Sequence, residues 1–239
     1  MTTDRPCGGK YPNIWREFEG RERDGFKRKY WVQDLTEEHF DAVIKVLFEG
    51  FVSDEPLCKF LKITEDEEAL AEMKELYLDT LRQKYGLICF TKDNDGTQKL
   101  VGFNCTSRRM PNDRNFECSN EKVKLFLEYE DKYIPGYKQQ MEKLNIKDYL
   151  SAVGLFVLPE YRGESIGLQI LKAREPLCKA RGINISVTLF TSIASQKLAV
   201  KAGYIDLMPE DAPSYTPANK DEEYLTELAK GCRFMYIFY

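Results

Sequence analysis

Val153-Gly154-Leu155-Phe156-Val157-Leu158, followed by Tyr161-Arg162-Gly163-Glu164-Ser165-Ile166-Gly167, is the stretch on which the reading of this chain turns. The first part is apolar and β-branched, as a strand requires. The second is a glycine-punctuated turn that opens directly into a helix. Such a turn aims backbone N–H groups and the positive end of a helix dipole at one point, so the segment predicts an anion site. Gly163 and Gly167 permit close backbone approach, and Arg162 adds a positive fork. The plainer alternative is an N-cap, with Ser165 capping and the glycines turning the chain. Two familiar phosphate motifs are absent: no Gly-x-x-x-x-Gly-Lys-Ser/Thr loop, and no Gly-x-Gly-x-x-Gly fingerprint in an early strand–helix–strand unit.

Working outward, Ser151–Leu207 reads as strand, turn, helix, strand (Asn184–Leu189) and helix (Ser192–Ala202, stopped by Gly203). Pro176 falls inside the first of these helices and predicts a kink or restart. Upstream, residues 1–27 are polar and read as an irregular surface segment. Lys29–Asp34 is a strand. Thr36 caps a helix whose apolar face is Phe40, Val43, Ile44, Leu47 and Phe48. A break is expected at Gly50–Pro56. A capping box at Thr64-Glu65-Asp66-Glu67 then starts a helix carrying Leu70, Met73, Tyr77 and Leu81. Asp95-Gly96 joins two strand-like runs, Leu87–Thr91 and Lys99–Ser107, into a hairpin. Arg108–Asn120 is a loop, and Glu121–Leu144 is helical with an interruption at Pro135-Gly136. Pro209–Glu223 reads as a loop with three prolines, and Arg233–Tyr239 as a buried strand. With no repeat and no long linker, the order predicts one mixed α/β domain over 28–239.

Composition narrows the function. The chain has 239 residues, enough for a full core, with 43% hydrophobic and 31% charged residues and a net charge of −4. That balance leaves no electrostatic footprint for nucleic acid. No apolar run is long enough for a membrane span, and residues 1–10 lack the apolar core of a secretory leader. The seven cysteines are scattered, with no Cys-x-x-Cys spacing, so no metal site is expected and a reduced, cytoplasmic setting is. His39 is the single histidine. Any Ser-His-Asp or Cys-His unit would have to use it, yet it sits beside Glu38 in the first turn of an amphipathic helix, where a structural role fits better.

Two further constellations carry chemistry. In Val52-Ser53-Asp54-Glu55-Pro56-Leu57 an acidic pair has apolar neighbours. Pro56 pushes Glu55 out of helical geometry, so its carboxylate is presented from a fixed backbone. The alternative is a solvated acidic turn. In Thr191-Ser192-Ile193-Ala194-Ser195 several hydroxyls precede or open a helix, and Ser192 reads as its cap.

Together these segments resemble the GCN5-related N-acetyltransferases, and within them the insect arylalkylamine, dopamine-type, N-acetyltransferases. The match to the acetyl-CoA motif covers Ala152 to about Leu207, with Ser165 standing where the pattern has its middle glycine. The resemblance implies a central mixed seven-stranded sheet, splayed at the acetyl-CoA site, with helices on both faces. It implies that Arg162, Gly163, Glu164, Ser165, Ile166 and Gly167 hold the pyrophosphate of acetyl-CoA, and that Phe156 and Val157 pair their backbone with its pantetheine arm. The Asp-Glu-Pro-Leu run resembles the segment in which the insect enzymes carry their general base, which places that role on Glu55. Thr191 and Ser195 fall where those enzymes have two hydroxyls lining the site; Thr191 replaces the more usual serine, and Ile193 a more polar or aromatic residue. The implied activity is acetyl transfer to a small arylalkylamine such as dopamine, serotonin or tryptamine, by a monomer or weak dimer. A non-aromatic amine such as a polyamine, or an acyl-CoA-binding protein that has lost catalysis, are the alternatives.

Overall fold

The computed structural model describes residues 11–23, 26–111, 113 and 116–239. Its centre is an eight-stranded sheet in the order β1-β2-β3-β4-β5-β6-β8-β7. The strands are β1 (Ile14–Arg23), β2 (Phe26–Asp34), β3 (Leu87–Lys92), β4 (Gln98–Arg109), β5 (Tyr149–Val157), β6 (Ile185–Phe190), β7 (Ile205–Asp206) and β8 (Arg233–Phe238). Every neighbouring pair is antiparallel except β5 and β6. The sheet is therefore mixed, with eight strands rather than the expected seven.

The added strand is β1, which corrects the reading of 1–27 as irregular over Ile14–Arg23; residues 1–10 lie outside the described residues. A buried carboxylate anchors it. Asp34 accepts hydrogen bonds from the Asn13 backbone and side chain and from Trp15 Nε1, at 2.7–2.9 Å. That tie between residues far apart in sequence is invisible to local patterning.

Helices cover both faces, because the strands bury both. On β3, Ile88 and Phe90 join one core cluster while Leu87 and Cys89 join another, the alternation of a two-sided strand. The first cluster lies under α1 (Phe40–Val46), α3 (Glu67–Arg82), α4 (Glu121–Tyr133) and α8 (Lys220–Lys230). The second lies under α6 (Ile166–Arg181), which buries Ile166, Ile170, Ala173 and Leu177 at helical spacing. The remaining helices are α2 (Pro56–Phe60), α5 (Tyr137–Lys143) and α7 (Ile193–Ala202).

Several expectations change in detail. The chain does not break at Gly50: α1 runs on through a π-helical turn, Leu47–Val52, and stays helical to Asp54. The cap of α3 is Asp66, which accepts from Ala69 N at 3.0 Å, and Thr64 lies in a preceding 3₁₀ turn. Helix α6 runs through Pro176 without restarting. The C-terminal part of the expected 209–223 loop is the first turn of α8, capped by Asn219.

Candidate active site

The site begins where β5 and β6 part. Only Leu150 and Ser186 pair, near the start of the strands. Beyond them the strands diverge, and Ser151–Leu155 and Thr188–Phe190 both line a cavity of about 270 Å³. β5 also carries a bulge. Between the pairs Asn104–Leu155 and Thr106–Ala152 it has one residue more than β4, and the extra residue is taken up around Gly154, at φ +152°. Asn104 Nδ2 donates to the Gly154 carbonyl at 2.7 Å and holds the bulge in place.

Arg174 fixes the gap from below. This α6 side chain is 1% exposed and donates from Nε to Asn104 Oδ1 at 2.9 Å. From Nη1 it donates to Ser186 Oγ, Thr188 Oγ1 and Tyr204 OH, at 2.9–3.1 Å. One guanidinium thus ties β4 to β6 across the opening of β5. Among the described residues all its acceptors are neutral, an unusual setting for a buried cation, which normally has an acidic partner. It also lines the cavity. One arginine among residues that are otherwise apolar on the buried face of the helix was the signal available for it in the sequence.

The turn after β5 is built by two residues in left-handed geometry, Gly163 (φ +88°) and Ser165 (φ +63°). Ser165 is the N-cap of α6 by position, but its side chain makes no capping bond. The turn conformation that the acetyltransferase pattern fills with glycine is therefore adopted here by serine. The other residues of the motif divide their work. Glu164 turns inward, and its carboxylate accepts from Arg21 N of β1 at 2.8 Å. Gly167 lies where an added Cβ would come within 3.0 Å of Leu198, so its smallness also lets α6 pack on α7. Arg162 donates to the Val157 carbonyl at 3.1 Å and stacks over the Phe156 ring. Ile166 is buried, as is Phe156, whereas Val157 is partly exposed.

Glu55 stands on the other wall. It is the N-cap of α2, in extended geometry (φ −66°, ψ 127°) with Pro56 at the first helical position, as the sequence predicts. One carboxylate oxygen accepts from Cys58 N at 2.8 Å. Burial pushes the Glu55 carboxyl above its ordinary value, against the Cys58 and Leu57 hydrogen bonds that pull it down. The adjacent Asp54 is exposed and lies 3.5 Å from Lys59, so only one of the acidic pair enters the cavity. Gly50 lets the π-helical turn approach β5: a Cβ there would sit 2.7 Å from the Phe156 ring.

Thr191, Ser192 and Ser195 all line the cavity. Ser192 and Ser195 form a capping box at the start of α7, and the Ser195 hydroxyl donates to the Ser192 carbonyl at 2.8 Å. Among the described residues, the Thr191 hydroxyl makes no hydrogen bond, so it is the freer of the two predicted hydroxyls. His39 lies away from this cavity, 3.8 Å from Glu38 and edge-on to Phe90. Cys58, Cys89, Cys105, Cys118, Cys178 and Cys232 are all free thiols.

Glu130 of α4, unremarked in the sequence reading, also lines the cavity. Burial pushes its carboxyl up to about 7, against the pull of Arg109 and Lys138. It falls on the helix stripe Phe126, Glu130, Tyr133, where an acid among aromatics was the available signal.

A mixed sheet opened between its parallel strands, with a glycine-bearing turn after β5 and a carboxylate lining the opening, gives the chain the GCN5-related N-acetyltransferase fold, a fold of acyltransferases. Within that fold, the chain resembles the insect arylalkylamine N-acetyltransferases. The structure described as "insect putative arylalkylamine N-acetyltransferase 7", from the yellow fever mosquito Aedes aegypti, is 26% identical, with a TM-score of 0.76 over 96% of each chain. Arylalkylamine N-acetyltransferase 2 of Aedes aegypti shares the fold at 17% identity and TM-score 0.64, over 87% of this chain and 98% of that one. A Drosophila melanogaster polyamine N-acetyltransferase that forms N-acetylagmatine shares it at 14% identity and TM-score 0.54, over 87% and 98%. Neither a protein-family model nor a curated protein sequence matches the chain.

Proposed function

We propose that the protein transfers an acetyl group from acetyl-CoA to a small primary arylalkylamine, of the dopamine, serotonin or tryptamine type, with Glu55 as general base. The observation that carries this reading is the cavity itself. It brings Glu55, the open edge of β5 and the aromatic side chains Phe51, Phe126 and Tyr129 to one space. In this reading acetyl-CoA lies along Phe156 and Val157, with its pyrophosphate at residues 162–167. The left-handed Gly163 and Ser165 fit that role, since successive backbone N–H groups in such a turn form an anion nest.

The chemistry follows from the acceptor's charge. An arylalkylamine arrives as an ammonium ion, which has no lone pair to attack a thioester. The desolvated Glu55 carboxylate attracts the cation and takes its proton. The freed nitrogen attacks the acetyl carbonyl, the C–N bond forms as the C–S bond breaks, and CoA leaves as a thiolate that needs a proton. In this reading the cavity-lining Thr191 hydroxyl relays to it the second proton that the nitrogen sheds as the amide forms, Glu55 returns its own proton to solvent, and Ser195 is committed to its cap.

The test is CoA release by the purified protein with acetyl-CoA and a panel of arylalkylamines. The expected result is amine-dependent release. Binding of acetyl-CoA with no amine acetylated would instead support an acyl-CoA-binding protein that has lost catalysis.

A further inference from the structure

The cation at the parting of β5 and β6 has no counterion. Arg174 is 1% exposed, and its acceptors, Asn104, Ser186, Thr188 and Tyr204, are neutral side chains. Among the described residues no carboxylate forms an ion pair with it. The titratable groups that face it are Cys178 on its own helix, Tyr204 after α7 and Tyr239 after β8. Burial pushes the Cys178 thiol up to about 12 and the Tyr239 hydroxyl well above its ordinary value, so neither carries negative charge at neutral pH. The Tyr204 hydroxyl is engaged with Ser186 and Tyr239.

Its second terminal nitrogen points to a ligand. Among the described residues Nη2 donates to no protein acceptor. Nor is it sealed in the core, where the side-chain atoms left without a partner among those residues are Tyr77 OH and Arg109 Nε. Arg174 lines the cavity, so the free N–H groups and the unneutralised charge open onto it. Burying an uncompensated cation is costly, and a site of this kind is completed by an anion. Position names the anion. In the acetyl-transfer reading the pantetheine arm runs from residues 162–167 along Phe156 and Val157 toward the Gly154 bulge, which Arg174 holds through Asn104. That arm ends in sulfur. The thioester brings no charge to the opening, but the sulfur becomes an anion when its bond to the acetyl carbon breaks.

We infer that Arg174 is the counterion of the CoA thiolate: its Nη2 donates to the sulfur once the acetyl group has left, and spent CoA stays bound as the anion until it is protonated. This rests on the acetyl-transfer reading above and deepens it on the donor's side. The electron pair of the broken C–S bond stays on sulfur, which gains only N–H···S hydrogen bonds from the guanidinium. The proton relayed through Thr191 then makes a neutral thiol, for which the cation has no special affinity, and CoA departs. Free CoA binds in the same way after giving its thiol proton to solvent. A fixed cation lowers the pKa of a neighbouring thiol, so affinity for CoA rises with pH up to the ordinary thiol value of about 8.5. Product inhibition strengthens in parallel.

The experiment measures binding of CoA and of desulfo-CoA, which keeps every phosphate and lacks the sulfur, by calorimetry across pH. In the wild-type protein the charge-assisted hydrogen bond predicts CoA roughly 10–100-fold tighter than desulfo-CoA at about pH 8.5, with the ratio falling toward unity near pH 6. Arg174→Met should bind the two alike, within about threefold, at every pH. Desulfo-CoA binding by that variant shows that it is folded. A second readout needs no variant: the ultraviolet absorption of a thiolate should appear when CoA binds the wild-type protein at pH 7, where free CoA is mostly the thiol. A wild-type ratio that stays flat with pH, no thiolate absorption in the complex, or a pH-dependent ratio that survives in Arg174→Met overturns the inference and leaves the acetyl-transfer reading standing. Binding of neither compound by the wild-type protein overturns both.

Discussion

Replacing Arg174 with methionine keeps the length of the side chain and removes every donor at the floor of the splay. Two acceptors lose the side-chain hydrogen bond that holds them, Asn104 Oδ1 and Thr188 Oγ1. Ser186 keeps its bond to the Leu150 carbonyl, and Tyr204 keeps its bond to Ser186. Each buried polar group left unpaired costs ~1–3 kcal/mol, so two give about 2–6 kcal/mol. Relief from burying a guanidinium offsets part of this, which leaves a net loss of roughly 2–4 kcal/mol. That is a sizeable share of a typical stability of about 5–15 kcal/mol. For a chain of this length it corresponds to a fall in Tm of about 5–15 °C, read by thermal unfolding. The functional effect is separate. Asn104 also holds the Gly154 bulge on the proposed pantetheine edge, so KM for acetyl-CoA should rise about tenfold with kcat less affected. Arg174→Lys, which keeps the charge and loses the fork, should fall between. A methionine variant with unchanged Tm and unchanged KM for acetyl-CoA would refute the cross-tie.

Three other outcomes are expected. Glu130→Gln should stabilise the protein at pH 8 and not at pH 4.5. The folded-state pKa of about 7 lies above the ordinary 4.5, so the folded form loses stability as pH rises through that window, and unfolding midpoints at the two pH values check it. Gly50→Ala should cost ~1–3 kcal/mol in denaturant unfolding, because the new methyl group meets the Phe156 ring. Ser192→Ala should cost about 1 kcal/mol by removing the α7 cap, with at most a modest loss of turnover, since Thr191 rather than the capping pair is assigned the donor role.

Much of the fold was legible because it is written in local patterns. The β5–turn–α6 unit announces itself through apolar residues, glycines and a helical stripe, and Pro56 alone predicts the extended backbone of Glu55. What escaped depends on long-range contacts. The β1 strand is polar on both sides of its alternation and is anchored by Asp34 through Asn13 and Trp15, so no periodicity marks it. The first turn of α8 hid behind a proline-rich loop, although Asn219 followed by acids was a capping signal. At the site, Glu55 stood out because proline fixes its backbone. Glu130 and Arg174 did not, because each is one polar residue on a helix face whose meaning comes only from what packs opposite. Ser165 departs from the glycine of the pattern, and its left-handed backbone is a conformation that glycine adopts most easily.

The most direct test of the central assignment is the pH dependence of acetyl transfer in wild type and Glu55→Gln. Glutamine keeps an acceptor for Cys58 N, so the α2 cap survives while the base is lost. Because burial raises the Glu55 carboxyl, the wild type should show a rising limb in kcat/KM above the ordinary carboxylate range. The account predicts that the variant folds normally, loses ~10²–10⁴-fold in kcat/KM, and no longer shows that limb. A Glu55→Gln enzyme within threefold of wild type, with the same pH profile, would contradict it.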